Sequence, residues 1–182
     1  MKRTSIVSRS VWVAAVLVVA GWVGSAQAEA TFTIKSPAFD NGQPIPKRFS
    51  CDGGNTSPPL TLSGVPGAAK SLALIVDDPD APGSVFTHWV LYNLAPSLVA
   101  LAPGASDQPL PGPATTADNS TRHANYHGMC PPPGDGVHHY HFKLFALDRR
   151  LPSNLADKAA VLKAMQGHVI AQTEIVGTYQ RP

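Results

Sequence analysis

Apolar and polar positions alternate along several short stretches, and these set the predicted elements. Thr31-Phe32-Thr33-Ile34-Lys35 alternates and predicts a short strand, as does Leu60-Thr61-Leu62. Ser71 to Val76 is a continuous apolar run with β-branched residues, the pattern of a core strand. A second apolar run, from about 88 to 94, follows after three acids and two prolines. The longest alternation is Val137 to Leu147. It puts His138, Tyr140, Phe142, Leu144 and Ala146 on one face, and Val137, His139, His141, Lys143, Phe145 and Leu147 on the other. Ile170 to Tyr179 predicts a last strand.

One helix is predicted, from Leu155 to about Gln166, with Asn154 as its cap. Leu155, Ala159, Leu162 and Met165 give it an apolar stripe, and Asp157, Lys158 and Lys163 its solvated side. Gly167 closes or interrupts it. Ser36 to Phe49, with three prolines and a glycine, predicts extended surface chain. Residues 95–119 show little periodicity and predict a long surface excursion. Residues 125–136, with three consecutive prolines, predict a rigid loop that lines a pocket. No repeat is visible. Short strands with one helix predict a mainly β domain, either a sandwich or a tightly curled sheet with a peripheral helix. Helical segments between the strands are missing, which disfavours a βαβ array.

The first 28 of the 182 residues are set apart from this pattern. Lys2, Arg3 and Arg9 precede an apolar stretch, Val11 to Val23, that ends in Ala26-Gln27-Ala28. This predicts a secretory signal peptide, hence a periplasmic or secreted protein with one domain at 29–182 and no transmembrane anchor after cleavage. Cleavage would remove three of 14 basic residues and none of 12 acidic ones, leaving 11 against 12 and a net charge of −1. No basic cluster remains for nucleic acid. Cys51 and Cys130 are compatible with one disulfide closing a loop of about 80 residues, or with two buried thiols.

The acidic turn Asp77-Asp78-Pro79-Asp80-Ala81-Pro82 joins the two central strands and leads to His88. Asp78, His88, His138 and Tyr140 then stand at neighbouring strand ends, which assembles a carboxylate, two imidazoles and a phenol at one opening. Imidazoles and a phenol can donate to a phosphate or carboxylate, and Asp78 can fix an imidazole tautomer or meet an ammonium. A satisfied network without ligand is the plainer alternative. His139 and His141 share a strand face, as a zinc pair or a solvated pair, and no third ligand is indicated. An Asp–His pair also suits a small hydrolase, with Ser84, Thr87 or a free Cys130 as nucleophile, but no G-x-S-x-G elbow exists. Glycine-rich nucleotide loops are absent.

Beyond these patterns, a series of motifs runs in one order along nearly the whole chain after residue 28. They are Asn55-Thr56-Ser57-Pro58, Asp77-Asp78-Pro79-Asp80-Ala81-Pro82, His88-Trp89-Val90-x-Tyr92-Asn93, Tyr126-x-Gly128-x-Cys130-Pro131-Pro132, His138-x-Tyr140-x-Phe142 and Gly177-Thr178-Tyr179-x-Arg181. With these the chain resembles the phosphatidylethanolamine-binding protein family, in particular its bacterial branch. The resemblance implies a β-sandwich-like fold with a small anion pocket at one end; with no convincing nucleophile or complete catalytic motif in the sequence, a non-enzymatic role without cofactor or metal is expected. It implies a phosphate-containing or other anionic ligand, such as a phospholipid head group, held by Asp78, Asp80, Pro82, His88, Tyr126, Gly128, His138 and Tyr140. It also implies a Cys51–Cys130 pairing, and protease or kinase inhibition as an alternative function through a protein target. The chain departs from the family pattern at Asn125, at Met129 and in the short segment between Pro82 and His88, so an altered pocket rim is expected. Two donating histidines predict an affinity that falls as pH rises past about 6.5.

Overall fold

The computed structural model describes residues 30–182. The signal-peptide expectation at residues 1–28 lies outside the described residues. The strands are β1 (Thr33–Lys35), β2 (Leu60–Ser63), β3 (Ser71–Asp78), β4 (Phe86–Leu94), β5 (Ala100–Leu101), β6 (Thr115–Ala117), β7 (His138–Leu147) and β8 (Val169–Tyr179), and the helix α1 spans Lys158–Met165.

Every strand pair is antiparallel. One sheet has the order β1-β2-β5, and the other has the order β6-β4-β3-β7-β8. The main core lies between them, where Ile34, Leu60, Leu62 and Leu101 meet Leu72, Leu74, Val76, Trp89, Leu91, Phe142 and Leu144. A second core lies on the outer face of the larger sheet, where Ala73, Ile75, Val90 and Tyr92 pack on Val161 and Met165 of α1. β3 is covered on both faces, which is why it reads as an unbroken apolar run rather than an alternation. β7 alternates as its sequence predicts, with 138, 140, 142 and 144 buried and the residues between them more exposed.

Three predicted segments differ. Residues 36–49 are not simply surface chain: Phe39, Ile45 and Phe49 are buried in the main core, and Ile45 N–H donates to the Thr178 carbonyl at 2.7 Å. The prolines keep this segment extended while its apolar side chains cap the sandwich. Residues 95–119 supply β5 and β6, one strand to each sheet, so this excursion is largely stitched into the fold. The helix starts three residues later than predicted. Asp157, not Asn154, caps it, accepting from Ala160 N–H at 2.8 Å. Its buried positions are Val161 and Met165, whereas Leu162 is exposed. Lys158 is not on a solvated side; its ammonium reaches Asp77 Oδ1 at 2.9 Å.

A candidate ligand-binding cavity

A cavity of about 520 Å³ opens where the end of β3 meets the beginnings of β4 and β7. Its walls are the turn 81–86, the loop 127–132, and Asp78, His88 and His138.

Strand periodicity and one irregularity aim these side chains. Asp77 and Asp78 are neighbours and so point to opposite faces of β3. Asp78 follows Val76 and Leu74 toward the sandwich side, where its Oδ2 accepts from His138 Nδ1–H at 2.8 Å. Asp77 follows Ile75 toward α1, where it meets Lys158 and accepts from the Thr87 hydroxyl at 3.0 Å. Strict alternation along β4 would place His88 with Val90 and Tyr92, facing the helix. The pairing slips there instead: Val76 opposes Trp89, and Asp77 opposes Thr87. His88 is the extra residue of a β-bulge, and the bulge turns its ring into the cavity.

The two imidazoles are held differently. His138 is 2% exposed and lies between two carboxylates, Asp78 and, at 3.2 Å from its Nε2, Asp135. Burial by itself would lower its pKa; the hydrogen bond and charge of Asp78, with Asp135 behind them, outweigh burial and raise it. His88 is also 2% exposed, and its Nδ1 lies 2.7 Å from the carbonyl oxygen of His127. A carbonyl only accepts, so Nδ1 carries the proton. Nε2 is buried with no partner among the described residues. Burial lowers the His88 pKa to about 4, so at neutral pH this ring is uncharged. The expectation of two donating histidines is thereby corrected, because His88 offers the cavity a lone pair.

Pro82 stands on the rim and Tyr140 beneath the site. The Tyr140 ring lies edge-on to His88 at 5.2 Å and roughly parallel to His138 at 6.5 Å. Its hydroxyl is buried with no hydrogen-bond partner among the described residues, and burial and the nearby Asp78 push its pKa up. Three of the expected residues do not face the cavity. Asp80 turns to the outer side of β7 and accepts from both the backbone N–H and Nδ1 of His139 at 2.8 Å; that bond holds its carboxyl below the usual range. Tyr126 is buried behind the loop, its hydroxyl donating to the Phe49 carbonyl at 2.7 Å. Gly128 lets that loop approach residues 49–55. A Cβ there would lie 2.6 Å from Asn55 Oδ1 and 2.8 Å from the Ser50 carbonyl carbon, and Gly128 N–H donates to the same Asn55 oxygen at 2.7 Å.

Sequence reasoning passed over two wall residues, His127 and Ser120. His127 is half-buried, and its pKa is lowered chiefly by burial. Its signal is the spacing within Tyr126-His127-Gly128, where the loop alternates between core and cavity. Ser120 accepts from Thr87 N–H, leaving its hydroxyl proton free to point elsewhere. The other wall is anchored covalently. Cys51 and Cys130 form a disulfide. Arg181 clamps the same loop, reaching Asp52 at 2.8 Å and the Pro131 carbonyl at 3.4 Å. The hydrogen bond from Arg181 is the largest influence holding the Asp52 pKa down.

Two of the three candidate hydrolase nucleophiles are engaged: Cys130 is oxidised and the Thr87 hydroxyl is committed to Asp77. Ser84 sits on an exposed bend at the rim. His139 and His141 pair with Asp80 and Glu174, and no group of three or more His, Cys, Asp or Glu among the described residues could hold a metal ion.

The family model for phosphatidylethanolamine-binding proteins matches residues 35–180. The chain belongs to the phosphatidylethanolamine-binding protein family. It is 47% identical over 150 residues to a UPF0098 protein of Methanothermobacter thermautotrophicus, covering 81% of this chain and 98% of the relative. Among solved structures, a phosphatidylethanolamine-binding protein homologue from Chlamydia trachomatis superposes with a TM-score of 0.77 at 41% identity, covering 83% of this chain and 98% of that one. YbcL of E. coli, described as a member of the mammalian PEBP family, gives a TM-score of 0.77 at 38% identity, covering 85% and 100%. The two-sheet architecture with its late helix is thus that of these bacterial PEBP-family structures. No helix among the described residues is long and apolar enough to cross a membrane.

Proposed function

We propose that this protein binds a small phosphate-bearing molecule of the phospholipid head-group type in the cavity between Asp78, His88 and His138, without chemical turnover, in the periplasm or outside the cell. The observation that carries this reading is the pair of buried imidazoles at one opening, one of them with an unpartnered ring nitrogen. A buried polar atom without a partner costs about 1–3 kcal/mol, and a ligand that satisfies it recovers that cost.

The charge balance favours a ligand that is not purely anionic. His138 as imidazolium stands against two carboxylates, Asp78 and Asp135. A phosphate can lie against His88, His127 and Ser120, while an amine at the other end meets the acidic side. Phosphoethanolamine has both groups.

Calorimetric titration of the protein with phosphoethanolamine at pH 6 tests this. Saturable binding that is lost in the His88→Ala/His138→Ala double variant, with the variant still folded by circular dichroism, is the expected result. Binding undiminished in that variant would move the ligand elsewhere.

A further inference from the structure

We infer that the cavity takes its phosphate in a proton-carrying form: a phosphomonoester, or inorganic phosphate, bound as the monoanion with its P–OH donating to His88 Nε2. This rests on the function proposed above and names the ligand class that function selects.

The inference follows from one hydrogen bond. His88 Nδ1–H is committed to the His127 carbonyl at 2.7 Å, so the only ring atom left for a ligand is Nε2. In the neutral ring Nε2 is an acceptor and repels a bare phosphate oxygen. The groups around it help too little to protonate it: the hydrogen bond to the His127 carbonyl favours a charged ring, but burial outweighs it. Asp78 and Asp77 of β3 favour a charged ring, but Asp77 is held by Lys158 and Lys143, and Asp78 is held by His138. The His127 ring, on the loop, disfavours it. Tyr140 of β7 lies at the ring edge, and Tyr126 is spent on the Phe49 carbonyl. Asp80 is turned outward to His139, and Asp135 caps the far nitrogen of His138. With its pKa lowered to about 4, charging His88 at pH 7 would weaken an anion's binding by roughly a thousandfold. A ligand that brings the proton avoids this.

A phosphomonoester does so at little cost, because its second pKa is about 6. Sulfate and phosphodiesters carry no proton at that pH. The balance is simple. Below pH 6 the monoanion binds as it stands. Above pH 6 the free dianion takes one proton from solvent on binding, and that proton lies between a phosphate oxygen and Nε2. Affinity then falls about tenfold per pH unit.

The test is calorimetry of the purified protein with phosphoethanolamine, glycerophosphoethanolamine and sulfate, at pH 6.0 and 8.0, in two buffers of different ionisation enthalpy. Uptake of close to one proton per phosphoethanolamine at pH 8.0 is expected. Its affinity should drop roughly fiftyfold from pH 6.0, and sulfate and the diester should bind at least tenfold more weakly at pH 6.0. The variant His88→Gln, whose side-chain amide can donate, should lose the proton uptake and flatten the pH dependence. Proton uptake that survives in His88→Gln would assign it to His138 and overturn the inference. Sulfate binding as tightly as phosphoethanolamine at pH 6.0 in the wild type would overturn it without any variant. Absence of heat with all three probes at both pH values would refute the phosphate-binding function itself, and the inference with it.

Discussion

Lys158 Nζ lies 2.9 Å from Asp77 Oδ1, tying the first residue of the only α-helix among the described residues to the central strand. Asp77 is 5% exposed and also receives the Thr87 hydroxyl, so this ion pair is a partly buried anchor rather than a surface contact. Lys158→Ala leaves that carboxylate short of its nearest cation and should cost about 1–3 kcal/mol in urea unfolding. Ligand affinity should be unchanged, because Asp77 faces away from the cavity. A loss of affinity equal to that of a cavity variant would contradict this separation of the two faces.

The two cavity histidines should shape stability against pH in opposite ways. His88 has a folded-state pKa of about 4 against 6.5 unfolded, so between these values the unfolded chain binds more protons. Stability should therefore fall by about 3 kcal/mol as pH drops from 6.5 to 4, and His88→Gln should flatten that limb. His138 is raised, so its contribution is complete below 6.5 and is lost as pH climbs through its folded value. Asp78→Asn, which removes the main cause of the rise, should erase that second limb. Urea midpoints measured from pH 4 to 9 read both.

Much of this was legible in the sequence, and the failures have physical causes. β7 alternates cleanly, so His138 and Tyr140 were placed on the core face from period alone. His88 was not: its face is set by a bulge opposite β3, and a bulge leaves no mark on hydrophobic periodicity. The eight site residues implied by family resemblance include Tyr126 and Gly128, which the structure places behind the wall because their task is to seat the loop. The helix start is not legible because both Asn154 and Asp157 are good caps, and tertiary bonds decide between them: Leu155 N–H to the Tyr92 hydroxyl, Asp118 N–H to the Ala156 carbonyl, and Lys158 to Asp77. Asp157→Ala should cost about 1 kcal/mol in thermal or urea unfolding, and Asn154→Ala a few tenths at most.

Gly128→Ala should destabilise the protein by about 1–3 kcal/mol, since the added carbon meets backbone at residues 49 and 50 that is itself packed. Its effect should extend to ligand affinity, because His127 and Cys130 move with the loop. A fully stable variant would mean that the loop gives way more easily than this packing implies.

Reduction of Cys51–Cys130 opens a closed loop spanning 79 positions and should remove about 4 kcal/mol of stability in the chain-entropy model. Urea titrations with and without reductant measure it. A Cys51→Ser/Cys130→Ser variant should reproduce the reduced protein and weaken ligand binding, since Cys130 is part of the cavity wall.

The most direct test of the site is nitrogen NMR of histidine-labelled protein at pH 6, titrated with phosphoethanolamine. In the free protein, His88 should show a protonated Nδ1 and an unprotonated Nε2. On addition of ligand, the His88 Nε2 resonance should move furthest, with His138 and His127 following it, and His168 and His141 staying in place. Saturating ligand that leaves the His88 and His138 resonances unshifted would contradict the account and remove the cavity as the binding site.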